Sequence, residues 1–214
     1  MEGRKEFHEQ LDDLYLELLR MANATLEVLE RTKVAFRDGD IETAGRIIEG
    51  DDEIDQYVTR IDEGGMELLA RQAPVAIDLR TIVVIMRMSQ ELERAADNCV
   101  NICKAIVNIR RYTLSPWIKE NMDEMFRWAI KIMAKAIDAF KERDPDMVEK
   151  LVRMDDTVDR INREFLTTYD RESENETELV VRVVMTARFL ERVADHAVNI
   201  GEEVYYMVTG EFAD

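Results

Sequence analysis

The sequence predicts an all-α protein made of two similar three-helix bundles, six long helices in all, and three observations lead there. The chain repeats itself: LERAADNCVNI, Leu92 to Ile102, returns as LERVADHAVNI, Leu190 to Ile200, with eight of eleven positions identical. A shorter echo precedes each copy, DDEID from Asp51 to Asp55 and DDTVD from Asp155 to Asp159, so the chain is two copies of one unit. Composition is the second observation, since 46% hydrophobic and 35% charged residues with only 8 Gly and 3 Pro in 214 suit long helices better than short strands and turns. The third is that apolar residues recur at steps of three and four. The units are placed at residues 1–111 and 116–214.

In chain order, Phe7, Leu11, Leu14, Tyr15, Leu18, Ala22, Leu26 and Leu29 make one amphipathic stripe, and the first helix stops at Asp38-Gly39-Asp40. A second helix is expected from about Ile41 to Gln72, carried by Ile47, Ile48, Ile54, Tyr57, Val58, Ile61 and Leu68, weakened at Gly64-Gly65 and ended by Pro74. A third starts near Asp78, read as its N-cap, and passes through Ile82, Ile85, Met86, Leu92 and Ala96 to about Arg110. Ser115-Pro116 is a start signal for the fourth, which reaches roughly Arg143. Asp144-Pro145 repeats that signal for a fifth, with Val148, Leu151, Val152, Val158 and Ile161 on its apolar face, ending before Asp170. The polar stretch Asp170 to Glu176 is the turn, and the sixth helix runs from about Thr177 to Met207.

The formal charge of −17 and the lack of any basic cluster argue against direct binding of nucleic acid or anionic membrane, and point to cations and basic protein surfaces as partners. The first residues lack the apolar core of a signal peptide, and the strongly apolar run Ile82 to Met86 is far too short to span a bilayer, so a cytoplasmic protein without membrane insertion is expected. Cys99 and Cys103 have Ala197 and Gly201 as repeat counterparts. Small size is what these positions share, so the cysteines read as reduced packing residues.

What the two copies share is mostly acid: Asp51, Asp55, Glu93 and Asp97 in the first, Asp155, Asp159, Glu191 and Asp195 in the second. Each pair is spaced by four, which puts both carboxylates on one helix face, where like charges repel. Counting shows that the pairs also come level. In the first half the pairs are centred on residues 53 and 95, whose midpoint is Pro74 at the turn, about 32 Å from either pair at about 1.5 Å per residue. In the second half the centres are 157 and 193 and the midpoint, 175, falls in the polar turn. Each half thus gathers four carboxylates, and a cation between them is the chemical reason to do so. The competing explanation is an acidic stripe offset by Arg94, Arg192 and nearby lysines.

The doubled acid repeat, the ERAADNCVNI and ERVADHAVNI strings and PVAIDLR from Pro74 to Arg80 resemble the PhoU family of phosphate-uptake regulators over essentially the whole chain. The resemblance implies two three-helix bundles side by side and multinuclear metal sites at E(D)-x-x-x-D motifs, here Asp51/Asp55, Glu93/Asp97, Asp155/Asp159 and Glu191/Asp195. It also implies a homodimeric cytoplasmic regulator of phosphate uptake and signalling, whose partners are the ATPase subunit of a phosphate ABC transporter and a phosphate-sensing kinase. One departure stands out, because Asp78-Leu79-Arg80 aligns with Glu176-Thr177-Glu178.

Oxygen-only ligands suit Mg²⁺, Mn²⁺ and iron, with Zn²⁺ usually taking His or Cys as well, and four carboxylates per site invite more than one ion. Asn101 and Asn199 share the face of Asp97 and Asp195 and either complete a shell or cap a neighbouring backbone group. His196 is turned about 100° from its neighbouring acid and reads as a hydrogen-bonding residue. Met86, Met125, Met133 and Met185 read as core filler. Enzyme readings are weaker. A carboxylate di-iron oxidase needs Glu-x-x-His, and Ala96 and Ala194 stand where His should be. A Mg-dependent all-α nucleotide pyrophosphohydrolase needs basic residues near the metals, for which Arg94 and Arg192 are the candidates. A metal-free helical adaptor is the third alternative.

Overall fold

The computed structural model describes residues 2–172 and 177–213. Among these residues seven helices follow one another: α1 Glu2–Asp38, α2 Ile41–Glu49, α3 Asp51–Gln72, α4 Ala76–Ile109, α5 Pro116–Glu142, α6 Met147–Glu172 and α7 Thr177–Thr209. The first unit is α1 with α2, α3 and α4; the second is α5, α6 and α7. Helices α4 and α7 pack against each other at the centre, and α1 also touches α5, so the units share one apolar core. Leu18, Met21 and Leu29 of α1 are fully buried, each worth about 1.5–3 kcal/mol relative to exposure.

The expected second helix is two. Gly50 closes α2 by donating its N–H to the Arg46 carbonyl, and its own carbonyl accepts from Glu53 N–H to open α3. Glycine is the costliest ordinary residue to hold inside a helix, and a Cβ at this one would stand 3.1 Å from the Arg46 carbonyl oxygen. The break puts Asp51 at the first position of α3, where the positive end of the helix dipole favours an acid. Gly64-Gly65, by contrast, stays helical; Gly65 makes room for Met86, whose Sδ would lie 2.6 Å from a Cβ there.

Helix starts follow the local chemistry with two corrections. Ser115 caps α5, its Oγ accepting from Ile118 N–H at 3.3 Å, and Pro116 takes the first helical position. Helix α4 begins at Ala76, ahead of Asp78, which lies in the first turn; Val75 occupies the cap position without a side-chain bond. Helix α6 begins at Met147, because the Asp144 carboxylate accepts from Asp146 N–H at 3.0 Å and holds Pro145-Asp146 in a turn. It runs on to Glu172, beyond the end expected before Asp170; the rest of the expected turn, 173–176, lies outside the described residues. The expected core is met with two exceptions: Val152 is 44% exposed and Met185 39%.

Four polar contacts in order show that α4 and α7 run antiparallel along their whole length. At the start of α4, Arg80 Nε donates to the Met207 carbonyl in the last turn of α7 at 3.0 Å. Arg87 pairs with Glu203 at 3.2 Å. Glu91 then accepts from His196 Nδ1 at 2.8 Å and Asn199 Nδ2 at 2.9 Å. Beyond the end of α4, Arg111 bonds Glu178 in the first turn of α7. The first and last of these are repeat-related ends of the same helix pair with the charge reversed. Glu178 stands where the first repeat has Arg80, and its partner is an arginine instead of a carbonyl.

Candidate functional site

The hairpins α3–α4 and α6–α7 bring the acid motifs level, as counting predicts. The carboxyls disclose their proximity through one another's ionisation. In the first cluster Asp51 is raised above the ordinary Asp range by burial, then by Asp97 and Asp55, with Lys104 pulling the other way. Glu93 is raised by burial, then by Asp97, Asp55 and Asp51. In the second cluster Asp155 is pushed up to about 7 by burial, then by Asp195, Asp159, Asp156 and Glu191. Glu191 is raised by burial and by Asp159 and Asp195 against the opposing charge of Arg188, and Asp195 by desolvation and then Asp159. Four acids per half therefore form two clusters, one between α3 and α4 and one between α6 and α7. The second sits deeper, since Asp159 is partly buried where its counterpart Asp55 is exposed.

The donor chemistry of these clusters fits a hard cation. Four buried side-chain oxygens in the described residues have no hydrogen-bond partner: Thr25 Oγ1, Asp62 Oδ1, Asp155 Oδ1 and Asn162 Oδ1. The last two belong to the second cluster, and an oxygen buried without a donor costs about 1–3 kcal/mol. The side chains do not close on a common point as they stand: among the described residues no three His, Cys, Asp or Glu make a ready cage. Ionised carboxylates at this range repel, and flexible side chains relieve that by splaying.

The arginines expected to offset the acids do so through space, Arg94 lowering Glu93 and Arg192 lowering Asp195, while their direct contacts lie elsewhere. Arg94 pairs with Glu91 at 2.9 Å instead of Glu93, and the Arg192 guanidinium lies over the Phe189 ring at 5.9 Å. Among the described residues the cation bonded to a motif acid is Arg188, whose Nη1 lies 2.8 and 2.6 Å from the two Glu191 oxygens. Its repeat counterpart is Gln90, so the pairing has no equivalent in the first half. Elsewhere, Arg20 and Arg60 flank a groove of about 330 Å³ between α1 and α3, where both bond Glu17, at 2.8 and 2.6 Å.

His196 takes the hydrogen-bonding role, and Asn199 joins it on Glu91. An ionised carboxylate has no proton, so His196 Nδ1 donates. Burial alone would raise Glu91, but the bonds from His196 and Asn199 outweigh it and hold this carboxyl below the ordinary range. Glu91 went unread in the sequence because it lies outside the repeat and its counterpart is Phe189. Asn162 was missed too, although it stands three residues after Asp159, on the same helix face. The cysteines are free and buried, with Thr32 Oγ1 3.7 Å from Cys103 Sγ. Burial pushes the Cys103 thiol up to about 11 and raises Cys99 as well, so both are inert packing groups.

The PhoU domain model matches this chain twice, over residues 18–106 and 122–204. A phosphate-specific transport system accessory protein PhoU homolog of Thermotoga maritima is 33% identical over 171 residues, covering 78% of this chain and 74% of the relative. The homolog of Pseudomonas aeruginosa is 31% identical over 209 residues, 96% of this chain and 86% of the relative. The crystal structure of PhoU from P. aeruginosa superposes with a TM-score of 0.89, covering 96% of this chain and all of that one at 31% identity. PhoU from Streptococcus pneumoniae superposes with a TM-score of 0.90 at 25% identity, covering 97% and 99%. With the doubled domain, the full-length relatives and the shared helical architecture in agreement, the chain belongs to the PhoU family.

Proposed function

We propose that this protein is a metal-binding regulator of phosphate uptake and phosphate signalling that acts on a phosphate ABC transporter and its sensor system. The observation that carries the metal part is the pair of level carboxylate clusters, of which Asp155 keeps a buried oxygen without a donor and is pushed up to about 7. The phosphate part rests on the relatives, which are named as accessory proteins of the phosphate-specific transport system. Asp51, Asp55, Glu93 and Asp97 hold one site and Asp155, Asp159, Glu191 and Asp195 the other, with iron, Mn²⁺, Mg²⁺ or Zn²⁺ as occupant. A bound cation supplies positive charge and open positions that suit phosphate oxygens, which the acidic surface itself does not offer. The protein's own groups bind and orient: Arg188 holds Glu191, while Glu91, His196 and Asn199 keep α4 and α7 in register between the two sites.

The proposed setting is cytoplasmic and homodimeric, with the transporter's ATPase subunit and a phosphate-sensing kinase as partners. Among the described residues no helix is long and apolar enough to cross a membrane. Metal content of the purified chain decides the metal part. Glu93→Ala/Asp97→Ala should empty one site and Glu191→Ala/Asp195→Ala the other, while calorimetry should show phosphate binding to metal-loaded protein and not to chelated protein. Full metal content in both double variants would remove the metal reading. Nucleotide hydrolysis dependent on Mg²⁺ and lost in either variant would replace the regulatory reading with the pyrophosphohydrolase.

A further inference from the structure

The acid stripe of α6 does not stop at Asp159. Asn162 continues the i, i+4, i+7 progression from Asp155 and Asp159, so all three side chains share one face. Asn162 is 2% exposed. Its Nδ2 donates to Glu191 Oε2 at 2.5 Å, which aims the amide into the second cluster, and its Oδ1 is buried with no partner. That orientation suits an ionised Glu191, held in the same way by Arg188, because only the amide nitrogen can donate to a carboxylate. Its counterpart in the first half is Val58, which lines an open cavity of about 420 Å³ with Asp55, Gln90 and Glu93.

We propose that Asn162 is a ninth metal-site residue that makes the two clusters unequal, its Oδ1 serving as a neutral oxygen donor to a divalent cation in the α6–α7 site while its Nδ2 fixes Glu191. The proposal rests on the metal reading of the preceding section and deepens it. An amide oxygen is a hard donor of the kind Mg²⁺, Mn²⁺ and Ca²⁺ accept, and it adds a ligand without adding a fifth negative charge. Glu191 is held from both sides, by Asn162 and by Arg188. A carboxylate held by such outer partners loses less freedom on binding a metal, which raises affinity. At the first cluster Val58 and Gln90 occupy the corresponding positions, so a cation there must order Glu93 itself.

Mn²⁺ added to the chelator-treated full chain, with free Mn²⁺ counted by electron paramagnetic resonance, tests this. Wild type should show two affinity classes, and Glu93→Ala/Asp97→Ala should remove the weaker. In that background Asn162→Val should weaken the remaining class about tenfold or more, whereas Asn162→Asp, which keeps an oxygen and loses the donor, should retain most of it. Val58→Asn in otherwise wild-type protein should tighten the weaker class, a gain that no folding defect can mimic. In wild type, Mn²⁺ should also broaden the Asn162 side-chain amide resonance at the first equivalent. No Mn²⁺ binding by wild type would overturn the metal reading itself. Binding that is left intact by Asn162→Val and unimproved by Val58→Asn would overturn this inference alone.

Discussion

Replacing Asp155 with Asn should stabilise the metal-free protein, and only where the pH ionises the aspartate. In the unfolded chain this carboxyl titrates near 3.8, and in the fold at about 7. Below about pH 4 it is protonated in both states and costs nothing. As pH rises from there, the unfolded state loses the proton while the fold keeps it, so stability falls, and the full penalty is reached above about pH 7. The difference between the two values corresponds to about 4 kcal/mol at about 1.4 kcal/mol per pKa step. Asp155 is only partly buried and solvent screens it, which leaves about 2 kcal/mol. For a chain of this size that is a rise in melting temperature of ~4–8 °C. Thermal unfolding followed by circular dichroism, with chelator present, should show Asp155→Asn above wild type by that amount at pH 8 and level with it at pH 4. An increment of equal size at both pH values, or a loss at pH 8, would refute the reasoning. Added Mn²⁺ should reverse the order, since wild type then gains binding energy that the variant lacks.

Two further outcomes follow from packing. Gly201→Ala would set a Cβ 2.4 Å from Leu151 Cδ1, and Leu151 is fully buried, so strain of about 1–3 kcal/mol should exceed the helix-propensity gain of up to about 1 kcal/mol and lower denaturant stability. Gly45→Ala meets nothing within 4 Å and should raise stability by about 0.5–1 kcal/mol in the same assay. Glu91→Ala leaves the partly buried His196 Nδ1 and the exposed Asn199 amide without their common acceptor, which should cost about 1–2 kcal/mol in chemical denaturation. Metal content should be unchanged in that variant, because Glu91 serves the α4–α7 contact.

The sequence by itself determined the helices, the doubling and the register of the acids, because each depends on spacing along one chain. Periodicity shows a helix face, a repeated string shows a second unit, and counting back from Pro74 shows which residues come level across a hairpin. The break at Gly50 escaped that reasoning, since a glycine in an apolar-periodic run is compatible with either a continuous or an interrupted helix. Gly64-Gly65, which looked weaker, stays helical, with Leu14 packed against Gly64 and Met86 against Gly65. Tertiary structure alone decided the partners across helices. Arg80 turns to the end of α7, Arg87 to Glu203 and His196 to Glu91. Asn162 acquires its meaning only once Glu191 stands 2.5 Å away. A side chain's partner is set by which faces pack together, and two faces can be paired in many ways that leave every one-dimensional pattern unchanged.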